Sequence, residues 1–262
     1  MVKIALDAGH GINTAGKRTP DGEREWAFNN AVLLACVNRL NQFNGVEIRR
    51  LDDPSGKTDT PLAVRTNVAN LWKADVLVSI HHNANAGSWG SHGGVETYVD
   101  PTASQASFNI AAVVHPLIVE AMSLRDRGVK VKNLHMTRES RMPAILTEGG
   151  FMDSTTDIPA LRSSARLVLQ GEAIADGLAI YFDLKEKYIP AKKEDEELKF
   201  SSPALKKETE TSLVSKAHRQ IIVDAAVKAG AHASWADKLA NGTLTDADLL
   251  GLAVKYTVSI NK

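Results

Sequence analysis

The chain has 262 residues, 44% of them hydrophobic, which suits one large domain with a buried core plus a smaller unit. Its 31 basic and 31 acidic residues leave a formal net charge of +0, so no global basic field favours nucleic acid. A single cysteine, Cys36, excludes an internal disulfide framework and a Cys-rich zinc site, and its apolar neighbours Val32, Leu33 and Leu40 predict a buried, inert thiol.

Met1-Val2-Lys3-Ile4 enters a strand pattern at once, with no basic leader or apolar export segment. No stretch approaches the ~20 apolar residues of a membrane span. Synthesis in the cytoplasm without a signal peptide is therefore expected, as is the absence of a transmembrane segment. The first strand, Ile4-Ala5-Leu6, runs into Asp7-Ala8-Gly9-His10-Gly11, and a polar loop follows to Asp21-Gly22. A helix is predicted from Glu25 to about Phe43, with Trp26, Asn30/Ala31, Leu33/Leu34, Val37 and Leu40 on its buried face and Asn44-Gly45 at its end. Val46 to Leu51 alternates like a half-buried strand. Pro61 to Lys73 reads as a helix with Leu62, Val64, Val68 and Leu71 turned inward.

Val76-Leu77-Val78-Ser79-Ile80 is a second buried strand, ending on His81-His82-Asn83; Gly94 to Val99 is a further strand and Ala103 to Ser123 a helix. Ala144-Ile145-Leu146-Thr147 is another buried strand, ending on Glu148-Gly149-Gly150, and a helix from about Asp157 to Phe182 follows. Strands alternating with helices predict an α/β fold: a twisted, mostly parallel or mixed sheet with helices on both faces.

Three of these strands end on a residue able to bind a metal or move a proton. In an open α/β sheet ligands gather outside the carboxyl ends of the strands, so parallel strands would bring His10, His81 and Glu148 to one edge. Zinc takes His nitrogen and carboxylate oxygen, and a catalytic site keeps one position open. His10 and His81 are the first candidates, since both follow a buried strand and small neighbours leave room beside His10. For a third ligand, Glu23 and Glu25 both lie where the loop returns to the helix; Glu25 directly precedes the buried face. Glu148 is placed for proton transfer, the bland alternative being a buried Glu held by a basic neighbour. His82 points to the opposite strand face and is expected to pack. His92 and His135 sit in loop-like contexts that could flank a substrate, and His115 reads as helix surface.

Taken together, Ile4-Ala5-Leu6-Asp7-Ala8-Gly9-His10-Gly11, Glu25 with Asn29 one turn later, Arg65-x-x-x-Ala69-Asn70, Ser79-Ile80-His81-His82-Asn83-Ala84, Gly94-x-Glu96, Arg127-Gly128-Val129 and Pro143-Ala144-Ile145-Leu146-x-Glu148-x-Gly150-Phe151 resemble the zinc-dependent N-acetylmuramoyl-L-alanine amidases of the family 3 type. The resemblance covers about residues 1 to 183. It implies one zinc ion held by His10, Glu25 and His81, with Glu148 catalytic, and hydrolysis of the amide joining N-acetylmuramic acid to L-alanine in bacterial peptidoglycan. Ala8 stands where the family often has Pro, and Gly149 and Met152-Asp153 vary the surroundings of Glu148.

Residues 184–211 are dense in Lys and Glu, with Pro190 and Pro203, and read as a charged linker. Residues 212–262 predict a small all-α module, with helix ends marked at Gly230, Ser234 and Asn241-Gly242 and a last helix opened by Thr245-Asp246-Ala247-Asp248. Two roles stand open for it: cell-wall binding, with Trp235 and Tyr256 as sugar-facing surface, or homodimerisation. An amidase without an export signal fits a phage or prophage endolysin released through a membrane hole; a sporulation hydrolase follows the same logic. A zinc peptidase cutting within the stem peptides is the alternative enzyme.

Overall fold

Aliphatic and β-branched runs form the strands: Val2–Ala8 (β1), Val46–Arg50 (β2), Val76–Asn83 (β3), Val95–Val99 (β4), Asp126–Val131 (β5) and Ala144–Phe151 (β6). The computed structural model describes residues 1–187, 216–228, 230–231, 234–245, 248–249 and 251–252, and the chain divides into two units, Met1–Tyr188 and Ile189–Lys262. In the first unit the six strands make one sheet in the order β2-β1-β3-β6-β4-β5. β2, β1, β3 and β6 run parallel; β4 is antiparallel to β6 and parallel to β5, so the sheet is mixed, with a parallel half that carries the site.

The helices of this unit are Glu25–Leu40 (α1), Leu62–Trp72 (α2), Gln105–Met122 (α3), His135–Arg138 (α4), Ile158–Leu161 (α5) and Ser164–Tyr181 (α6). Strand alternation sorts the two faces of the sheet. Ile4, Leu6, Ala8, Val76, Val78, Ile80, Val95 and Ile145 join α1, α3 and α6 in the large core cluster. Ala5, Leu77 and Ala144 turn the other way, onto a small cluster with Ala69 of α2 and Met136 of α4. By the same parity Asp7, His81, Glu96, Tyr98 and Glu148 share the α2–α4 face, whereas His82 faces the large core.

Three sequence expectations are corrected. The inward face of α2 is not its aliphatic stripe: Leu62, Val64 and Leu71 are exposed, and Arg65, Thr66 and Ala69 are buried. Arg65 replaces the aliphatic anchors because it has a buried acid, Asp7, to meet. On α1 the buried set is Trp26, Phe28, Asn29, Val32, Leu33, Cys36 and Leu40, while Leu34 is exposed. The helix expected over 157–182 is two: Arg162 ends α5, and the Ser163 side chain caps α6 by accepting from the Arg166 amide. β5, not anticipated as a strand, adds an edge beside β4.

Residues 185–187 bond back to the first unit, with the Asn44 amide donating to the Lys185 carbonyl and the Lys187 amide to Gln42. The remainder of the expected linker lies outside the described residues. In the second unit, Lys216–Lys228 (α7) and Ser234–Ala240 (α8) surround Val223, Ala226, Ala231, Leu244, Leu249 and Leu252. Trp235 packs against this cluster, partly buried; Tyr256 lies outside the described residues. Thr245 and Asp248 exchange reciprocal cap bonds of 3.1 and 3.2 Å, the expected opening of the last helix. No helix among the described residues is long and apolar enough to cross a membrane.

Candidate metal centre and active site

β1, β3 and β6 end side by side, and the loops beyond them bring the site together. His10 lies two residues past β1 in the left-handed region, at φ 68, a conformation uncommon for a side-chain-bearing residue. Gly9 before it is required: a Cβ there would lie 2.0 Å from the His81 ring. His81 comes from β3 and Glu25 is the first residue of α1. One ligand atom from each of His10, Glu25 and His81 falls within 4.8 Å of the others.

The buried carboxylate of Glu25 sits between the two rings. His10 Nε2 is 3.3 Å from Oε2, and His81 Nδ1 is 2.9 Å from Oε1. The imidazoles meet edge to face, with centroids 4.8 Å apart. Burial alone would raise the Glu25 carboxyl, but hydrogen bonds from both rings hold it well below the usual carboxylate range. For His81 the balance is also against burial: the Glu25 bond keeps its pKa raised. Asn29, one turn along α1, donates to Glu25 Oε1 at 3.3 Å and to the Gly9 carbonyl at 3.1 Å, tying the acid to the His10 loop. Glu23, the other candidate, is elsewhere: it is exposed and pairs with Arg162 at 2.6 Å.

Glu148 stands beside His81 in the β3–β6 register and opposite Glu96 across β4. Its Oε2 is buried and has no hydrogen-bond partner among the described residues. Burial raises its pKa to about 8; the Glu25 and Glu96 charges add to this, while His81 and Lys17 oppose it. Among the described residues no basic side chain holds it as a plain structural ion pair would. Acids perturbed in this way cluster at functional sites. His10, Lys17, His81, Tyr98, His135 and Glu148 line the cleft, whose volume is about 390 Å³.

Several contributors went unanticipated. Arg65, fully buried, donates to Asp7 Oδ1 at 2.7 Å, to the Ala8 and His10 carbonyls at 2.9 and 3.1 Å, and to Asp59 at 3.0 Å. It therefore fixes the backbone that presents His10. The sequence signal available was Asp7 inside a buried strand, an acid that needs a buried cation. Glu96 gathers Arg127, Lys130 and Tyr98, and these bonds outweigh burial to lower its pKa to about 2. Its fixed negative charge lies next to Glu148.

The remaining histidines divide as follows. His82 is buried among α1 and α6, with a pKa lowered by burial to about 4, so the ring is neutral. It donates from Nδ1 to Asn29 Oδ1 at 2.8 Å. Its Nε2 then accepts, and the Gln170 amide 3.2 Å away must turn its NH2 toward the ring, which also satisfies an otherwise unpaired nitrogen. His92 binds Asp153 at 2.7 Å, an acid that also collects the Asn85, Ala86 and Gly87 amides. His115, expected at the surface, is buried between Thr97 and Asp126 because α3 lies on β4 and β5.

A mixed sheet whose parallel half gathers two imidazoles and an acid at its strand ends, with a second buried acid beside them, fits an enzyme of the hydrolytic kind. Comparison with known proteins specifies which: residues 4–179 match the family model for N-acetylmuramoyl-L-alanine amidase, and the chain belongs to that family. It is 38% identical over 187 residues to the N-acetylmuramoyl-L-alanine amidase CwlM of Bacillus licheniformis, covering 71% of each chain. It is 31% identical to an endolysin of Bacillus phage SPP1, covering 70% of this chain and 67% of that protein. Among solved structures, the catalytic domain of CwlV from Bacillus (Paenibacillus) polymyxa aligns with TM-score 0.64 at 33% identity, covering 71% of this chain and all of that one.

Proposed function

We propose that this amidase cleaves the bond between N-acetylmuramic acid and L-alanine in peptidoglycan with a single zinc ion held by His10, Glu25 and His81. The observation that carries the reading is the convergence of the two imidazoles on the buried, anionic Glu25 carboxylate, beside a cleft lined by His10, His81 and Glu148. The donor set fits the group: two neutral-capable imidazoles and one carboxylate are the ligands zinc takes at a site open to substrate. Bound there, zinc supplies Lewis-acid polarisation of the scissile carbonyl and a lowered pKa for water.

The chain's own residues do the rest. Glu148 takes the proton of the attacking water and passes it to the leaving alanine amine. Asn29 and Arg65 keep Glu25 and the His10 loop in place. Lys17, Lys132 and His135 line the cleft and favour an anionic substrate.

The expected test is digestion of purified peptidoglycan. The protein releases N-terminal alanine without new reducing sugars, chelation stops release and added zinc restores it, and Glu148→Ala keeps one zinc per chain but loses hydrolysis. Release of other amines instead marks the alternative, a stem-peptide peptidase. The similarity to a phage endolysin supports a cell-wall-lytic role after release from the cytoplasm, and residues 212–262 are proposed as the wall-targeting module. Co-sedimentation of the full chain with cell walls, compared with a chain ending at residue 187, tests this. Pairing of two copies through the C-terminal helices gains no support.

A further inference from the structure

The cations around the active site are mostly paired. Arg65 is joined to Asp7, and Arg127 and Lys130 share Glu96. Lys17 and Lys132 differ: both line the cleft that holds Glu148, and neither has a carboxylate partner among the described residues. Leu62, Leu134, Met136 and Leu146 contribute uncharged wall between them. In a chain whose 31 basic and 31 acidic residues balance, two unneutralised ammonium groups in one cleft leave a local positive field.

The backbone of each lysine is fixed while its ammonium is free. The Lys17 carbonyl accepts from the Glu25 amide at 3.1 Å, which ties Lys17 to the first residue of α1. Its charge is near enough to Glu148 to oppose the raised pKa of that acid. The Lys132 amide donates to the Val99 carbonyl at 3.0 Å, and Lys132 Nζ lies 5.3 Å from the centre of the Tyr98 ring, itself part of the cleft wall. Tyr98 stands opposite Leu146, two residues and one strand from Glu148, or ~8 Å between backbones at ~3.3 Å per residue and ~4.8 Å per strand. Because β6 lies between β3 and β4, the two lysines approach Glu148 from opposite sides, one on the loop between β1 and α1 and the other just past β5.

Glu148 hands its proton to the alanine amine, so the stem peptide begins at that side chain. The next stem residue is a γ-linked D-glutamate. Its α-carboxyl lies within two extended residues of the scissile nitrogen, ~7 Å, which matches the separation of Tyr98 from Glu148. This group is a free carboxylate in some peptidoglycans and a carboxamide in others. A carboxylate takes charge-assisted bonds from ammonium groups, whereas a carboxamide keeps the shape without the charge. We propose that Lys17 and Lys132 form an anion subsite for this α-carboxylate, so that stems with free D-glutamate at the second position are preferred over stems with D-isoglutamine. The inference rests on the amidase reading, which sets where the stem begins.

The test uses two disaccharide tripeptides, identical except for a carboxylate or a carboxamide on the second residue, digested by the zinc-loaded full chain. The carboxylate form has about tenfold higher kcat/KM, carried by KM because the group lies away from the bond that breaks. Lys17→Gln and Lys132→Gln each shrink the preference, and the double variant removes it. Both lysines are exposed, so these variants keep the fold. Added salt shrinks the preference as well. Equal kcat/KM for the two forms, or a preference that the double variant leaves intact, overturns the proposal. If neither form nor whole peptidoglycan yields N-terminal alanine, the amidase reading fails instead. Calorimetric titration of the two forms into the same chain then decides the subsite, by the difference in Kd and its loss in the double variant.

Discussion

Replacing Arg65 with Met isolates what holds the His10 loop. The substitution keeps side-chain volume and the helix but removes the guanidinium paired with the buried Asp7, together with donors to the Ala8, His10 and Thr60 carbonyls and to Asp59. Ser79 still donates to Asp7 Oδ2 at 2.7 Å, which does not compensate a full charge. Breaking a buried ion pair from one side costs about 3–5 kcal/mol, because the remaining charge is stranded. That is a large share of the ~5–15 kcal/mol that stabilises a whole domain. At ~2–4 °C per kcal/mol for a unit of this size, the melting temperature falls by about 6–20 °C. Differential scanning calorimetry reads this directly, and the double variant Asp7→Asn/Arg65→Met recovers most of the loss since no charge is left unpaired. A shift below about 2 °C for Arg65→Met, or no recovery in the double variant, refutes the view that this pair organises the loop.

Other consequences are as specific. Gly9→Ala puts a methyl into the His81 ring, so zinc content by metal analysis falls at least tenfold while circular dichroism stays unchanged; full zinc occupancy contradicts the close approach. In metal-free protein, Glu148 keeps its proton to about pH 8 when folded but loses it near 4.5 when unfolded. The folded state thus binds more protons between those values, and stability falls as pH rises through that window; Glu148→Gln flattens the fall in urea titrations, and an unchanged pH profile counts against it. His82 runs the other way, neutral when folded down to about pH 4. Its contribution is lost as pH falls from 6.5 through 4, and His82→Gln removes that acid-side loss from melts in the same range. Asp153→Asn weakens the bonds that gather residues 85–87 and His92, so chymotrypsin cuts at Trp89 faster than in the unaltered chain; an equal cleavage rate rules out that clamp.

Local chemistry along the chain determined the strands at Leu6, Val78 and Ile145, since apolar β-branched runs closed by Gly or Pro have few other solutions. It also marked the helix stops at Gly45, Lys73 and Ser123, and the acids and imidazoles at strand ends. The choice of Glu25 over Glu23 was only half decided there. One faces two rings and the other solvent, and a shift of two residues across a helix start is a matter of rotation that spacing barely registers.

Tertiary packing decided what periodicity could not. An aliphatic stripe on α2 faces water and Arg65 faces the core, because a buried charge is stable only beside its partner, and Asp7 lies 58 residues away. His115 is buried because α3 lies on β4 and β5, the latter an edge strand too polar to be read as one that also brings Asp126 to the ring. The raised proton affinity of Glu148 likewise depends on desolvation by β3 and β4 together. A sequence records which groups are present; energies of burial and charge depend on which of them end up adjacent, and only the folded chain sets that.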